Sequence, residues 1–135
     1  MKHLFIATTV IELGAGVALM CCPSATVDLL LGSPLETSAA IALGRLAGAA
    51  VFALGVASWL AHDDTQSRAA RGLVGAMVLY NLGAVVILAA AGARSQPVGV
   101  ALWPAVVLHA AMTVWCITSL MRSAESPTEP AGPLL

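Results

Sequence analysis

A chain of 135 residues that is 59% hydrophobic and 10% charged cannot cover itself with polar surface; a soluble domain is nearer half apolar and about a quarter charged. Its mean hydropathy of +0.92 makes the lipid bilayer its expected partner. The formal net charge of −1 excludes nucleic acid, which calls for a basic stripe. Scarce aromatics beside abundant Ala and Gly favour closely packed membrane helices over lipid-facing strands.

Four apolar windows follow, at 4–22, 36–61, 69–91 and 98–121. Each is near or above the ~20 residues that cross a ~30 Å hydrocarbon core at about 1.5 Å per residue. The first starts after Lys2, and Glu12 interrupts it where a cleaved signal would need an unbroken apolar region. It reads as a retained helix. Cys21, Cys22 and Cys116 match neither a disulfide framework nor a zinc pattern and read as small packing residues. Beyond Pro23, residues 24–31 are expected to form a short interfacial helix, with Gly32 ending it in the left-handed conformation.

Ser33-Pro34-Leu35-Glu36 has the form of a capping box, with Ser33 as N-cap and Pro34 at the first helical position, and predicts a helix starting near 34. His62 to Ser67 is a polar turn in which Asp63 or Asp64 can cap the third long helix; it reads as solvated rather than as a metal site. Gly92 to Pro97 is the next turn. Pro104 is expected to kink the last helix above His109 and open a small cavity there. A four-helix domain over 1–122 is therefore predicted, followed by a disordered cytoplasmic tail over 123–135, where three prolines recur. Lys2, Arg68, Arg71 and Arg122 fall on one side and Arg94 on the other, which puts both termini in the cytoplasm.

Each long window carries polar residues near its middle: Glu12, Arg45, Tyr80 with Asn81, and His109. Counted from the nearer edge, Glu12 lies about 12–15 Å deep, Asn81 roughly 18 Å, and Arg45 and His109 about 13–17 Å. That predicts one polar layer with one contribution from each helix. Charge at mid-depth is costly and marks a protein interior or a wet cavity. The eight Leu, Ile, Val and Phe residues between 4 and 20 favour insertion by roughly 4 kcal/mol in sum, and Glu12 alone costs about 3. Pairing of Glu12 with Arg45 would relieve both helices. Such a pair can fix helix register or serve a ligand- or proton-binding site, since a buried pair is weak evidence for stability. His109 can bond Asn81 or Tyr80, or exchange a proton with Glu12. Small residues every four positions, at Ala40, Gly44 and Gly48 and at Gly72, Ala76 and Ala84, would let helix backbones approach closely.

Ile11-Glu12-Leu13-Gly14-Ala15-Gly16-Val17-Ala18-Leu19 and Gly44-Arg45-Leu46-Ala47-Gly48 resemble the E-x-x-G-x-x-L and R-x-x-G patterns of DoxX-like small membrane proteins. The resemblance implies an all-α, four-helix integral membrane bundle in a bacterial inner membrane; some members of that family are associated with quinone-linked sulfur oxidation.

No nucleotide loop, HExxH, nucleophile elbow or CxxC occurs, so no catalytic residue, metal ligand or cofactor is assigned. The leading expectation is a binding or accessory protein. Its midplane pocket of Glu12, Arg45, Tyr80, Asn81 and His109 would take a small lipophilic, quinone-like ligand. A proton-coupled transporter using Glu12 and His109, and a structural subunit of a larger membrane complex, are the alternatives. A homo-oligomer or a membrane-complex partner is expected, because four short helices bury little alone.

Overall fold

The computed structural model describes residues 1–94 and 98–124, and these form five helices: α1 (Lys2–Cys21), α2 (Pro23–Leu31), α3 (Ser38–Ala61), α4 (Arg68–Arg94) and α5 (Leu102–Ala124). All but α2 are long and apolar enough to cross a membrane. The short helix expected beyond Pro23 is α2, and Gly32 ends it at φ 70°, its N–H bonded to the Asp28 carbonyl.

The helices associate as two antiparallel pairs, α1 with α3 and α4 with α5, which meet each other more loosely. Glycine sets the first pair. A Cβ on Gly48 would stand 2.8 Å from the Met20 nitrogen, and one on Gly16 would stand 2.7 Å from the Phe52 nitrogen. Close approach of this kind gains dispersion between backbones, the packing that suits helices in an apolar surrounding. Thr9 Oγ1 donates to the Phe5 carbonyl of its own helix at 2.8 Å and also approaches the Gly55 carbonyl of α3 at 3.3 Å. In the second pair, Gly92 receives Leu102 and Trp103.

The two pairs close on each other at the end that holds the N-terminus. There Leu4 and Phe5 of α1 pack with Val74 and Met77 of α4 and Met112 and Cys116 of α5 in one buried cluster. Ser123 bonds the Met1 sulfur at 2.9 Å across the same end. Lys2 reaches Asp63 in the α3–α4 turn at 2.7 Å, and His62 contacts the same carboxylate at 3.0 Å. The hydrogen bond from Lys2 holds the Asp63 carboxyl below its ordinary range. Both partners are exposed, so the pair adds little stability.

Several local expectations are corrected. The predicted capping box does not form: Leu35 uses both its N–H and its carbonyl on the Ser24 hydroxyl, at 3.0 and 3.2 Å. That fastens the segment to α2 in a non-helical form, and Thr37 caps α3 instead, accepting the Ala40 N–H at 3.1 Å. Ser67, rather than Asp63 or Asp64, caps α4 through the Ala70 N–H at 3.0 Å. Helix α4 runs through the expected turn as far as Arg94, and residues 95–97 lie outside the described part. Pro104 is the third residue of α5, inside the first turn where no N–H is required, so it has no reason to kink the helix. Helix α5 extends to Ala124, past the predicted start of the tail at 123, and residues 125–135 lie outside the described part.

Candidate functional site

Three elements of the expected layer meet. The Tyr80 hydroxyl donates to Glu12 Oε2 at 3.3 Å. The Tyr80 and His109 rings pack edge to face, with centroids 5.7 Å apart. His109 Nδ1 lies 2.8 Å from Asn81 Oδ1, and Asn81 Nδ2 donates to the Met77 carbonyl at 2.8 Å. Glu12 and Asn81 are buried, at 3% and 2% exposure. The row therefore runs Glu12, Tyr80, His109, Asn81 across α1, α4 and α5. No hydrogen bond joins Glu12 to His109; Tyr80 touches both.

The amide of Asn81 fixes the imidazole. Its Nδ2 must face the Met77 carbonyl, because a flipped amide would set oxygen against oxygen at that distance. Oδ1 is then the atom that faces His109, and an acceptor there requires the hydrogen on Nδ1. In the neutral ring Nε2 is left as an acceptor. Among the described residues Nε2 has no protein partner, and the one sealed, unpartnered side-chain oxygen or nitrogen is Thr8 Oγ1. Nε2 is consequently open to a molecule entering from outside.

Arg45 is not in the layer. It is exposed, and among the described residues no carboxylate lies within salt-bridge distance of it; the expected pair with Glu12 does not form. Register explains why. The contacts Leu13–Gly55, Gly16–Phe52 and Met20–Gly48 place Glu12 level with Val56. Arg45 precedes Val56 by eleven positions, about 16 Å along the axis. The layer thus takes nothing from α3 and two residues from α4. Replacing Arg45 with Gln should leave thermal unfolding of the solubilised protein within about 0.5 kcal/mol of the parent, as for an ordinary surface site. A loss of several kcal/mol would restore the buried pair.

On α1, Thr8, Thr9, Glu12 and Gly16 are all buried and form one stripe along the helix. His109, Thr113 and Cys116 share a face of α5, and Cys116 is fully buried. On α3, Gly48 is buried, whereas Ala42 and Ala49 are exposed. On α4, an added Cβ at Gly72 meets nothing within 4 Å among the described residues, whereas Ala84 of the same row lines the cavity described next.

Above the layer, where the helix pairs diverge, lies a cavity of about 430 Å³. Its walls include Ala15 and Leu19 of α1, Val51 of α3 and Gly83, Ala84 and Leu88 of α4. Tyr80 and His109 stand at its polar end, and Thr26 and Leu30 of α2 at the other. Leu79 and Ile87, at 73% and 70% exposure, stand on its rim. The volume is within the range of about 300–1,000 Å³ typical of small-molecule pockets, which are mostly apolar with a few placed polar groups. Sequence reasoning missed α2 as a wall. The signal available was Thr26, whose hydroxyl bonds the Ala18 and Cys22 carbonyls at 3.2 and 2.9 Å and so folds α2 back beside α1.

Asn81→Leu should cost about 1–3 kcal/mol in thermal unfolding, because it leaves the His109 Nδ1–H without its acceptor. Adding His109→Phe removes the stranded donor and should recover much of the loss. Strict additivity of the two substitutions would show that they do not interact.

No protein-family model, curated protein or solved structure matches this chain.

Proposed function

We propose that this is a multi-pass membrane protein that binds a small lipophilic, quinone-like molecule in the cavity between its two helix pairs. The observation that carries this reading is that His109, held by Asn81 in the tautomer that leaves Nε2 without a partner, lines a mostly apolar cavity. A structural layer needs each polar group satisfied internally; this one leaves an acceptor unused beside a space of ligand size. The exposed rim residues Leu79 and Ile87 suit entry from the apolar phase. The distribution of basic residues supports cytoplasmic termini, and the likeness to DoxX-like proteins supports a bacterial inner membrane.

Ligand that binds the folded state alone raises stability by RT ln(1 + [L]/Kd), about 2.7 kcal/mol at 100 times Kd. A prenylated benzoquinone, offered in both its oxidised and its reduced form, should therefore raise the unfolding temperature of the solubilised chain saturably in at least one form. If neither form shifts it at any concentration, the binding reading is wrong.

A further inference from the structure

The cavity contains three polar side chains, Thr26, Tyr80 and His109, and each spends its hydrogen inside the protein. Thr26 O–H is directed at the Ala18 and Cys22 carbonyls, Tyr80 O–H at Glu12 and His109 Nδ1–H at Asn81. The remaining lining residues are Ala, Gly, Val, Leu and Ile, which carry no side-chain donor, and those on helices have their backbone N–H groups in the helical ladders. Arg45, the donor that would have answered a ligand carbonyl, is exposed and is not among the residues that line the cavity.

Resting on the binding reading above, we infer that the cavity selects a lipophile bearing a hydroxyl donor, such as a hydroquinone or a sterol-like alcohol, over the corresponding quinone, ketone or ether. The ligand hydroxyl donates to His109 Nε2, and its apolar body lies between α1, α2 and α4. A quinone brings acceptors only. Placed against Nε2 it would set lone pair against lone pair and leave both groups desolvated without a partner, and sites matched to one hydrogen-bonding partner discriminate most strongly in that way.

A matched, redox-inert pair isolates the effect: a long-chain 4-alkylphenol and its methyl ether, which differ in the donor and hardly in shape. Both are titrated by thermal shift into the full chain in mild detergent, and into Gly83→Phe, in which the cavity is filled. The phenol should bind the parent about five- to tenfold more tightly than the ether, the worth of one hydrogen bond. His109→Phe should erase that preference and keep the ether affinity. An alkylcyclohexanol serves as a third probe, separating a phenolic from an aliphatic source of the hydroxyl; a preference over its own methyl ether supports the inference equally. Equal binding of phenol and ether, with both lost in Gly83→Phe, overturns donor selection and leaves the binding reading standing. Tighter binding of the ether overturns it as well. Absence of binding by all probes overturns both. Should His109→Phe fail to fold, the paired measurement on the parent still decides, and a ¹⁵N imidazole spectrum showing hydrogen on Nε2 of His109 contradicts the inference independently.

Discussion

Gly83→Phe is expected to abolish ligand binding while the protein stays folded. Gly83 lines the cavity, and a Cβ built there meets nothing within 4 Å, so the new side chain has space to enter and no backbone to displace. It also replaces a glycine inside a helix, where glycine is unfavourable by up to about 1 kcal/mol relative to alanine. Stability should hold or rise slightly in the absence of ligand, and the ligand-dependent shift in unfolding temperature should vanish. The apolar body of the ligand would meet the cavity walls through dispersion contacts, and a filled cavity removes those contacts entirely. Retention of the shift would place the ligand elsewhere on the protein.

Gly48 stands at the opposite extreme. A Cβ at this position would lie 2.8 Å from Leu19 Cβ and the Met20 nitrogen and 2.9 Å from the Gly16 carbonyl. Two of these atoms are backbone and cannot turn aside. Gly48→Ala should destabilise the solubilised protein by about 1–3 kcal/mol, the usual cost of overpacking, and Gly48→Leu should separate α1 from α3. Gly14 is the control: it lies in α1, and nothing stands within 4 Å of an added Cβ. Gly14→Ala should be neutral or mildly stabilising in the same unfolding assay. Equal responses at 14 and 48 would contradict the close approach of α1 and α3.

These two glycines show what a helical sequence reveals and what it conceals. Rise per residue is nearly constant, so heights within each helix were legible, and Glu12, Tyr80, Asn81 and His109 were placed in one layer from the chain alone. Stagger between helices is set by contacts distant in sequence. The packing of Gly16 on Phe52 and of Gly48 on Met20 carries the N-terminal end of α3 well past the end of α1. Helix α2 and the segment around Leu35 occupy the space so created, with Pro23 and Leu35 both against Gly44. Arg45 belongs to that protruding end. Measuring its depth from a predicted helix start put it level with Glu12, and the resulting ion pair was a product of the wrong stagger. The walls of the cavity were hidden for a related reason: they come from two helix pairs that diverge, and no pattern within one helix encodes a divergence.

Removing Arg45 from the layer also changes its chemistry. A site with a guanidinium would have answered a carbonyl ligand. With Thr26, Tyr80 and His109 all donating inward, the site is left with acceptors. The difference between quinone-like and hydroquinone-like recognition therefore rests on where one arginine stands.

Native mass spectrometry of the full chain released from mild detergent tests the central claim most directly. The parent protein should carry a non-covalent small-molecule adduct, with a hydroxyl revealed when the extracted molecule is derivatised, and Gly83→Phe should fly without it. A parent protein that stays folded yet binds no such molecule, or an adduct that persists when the cavity is filled, would contradict the account.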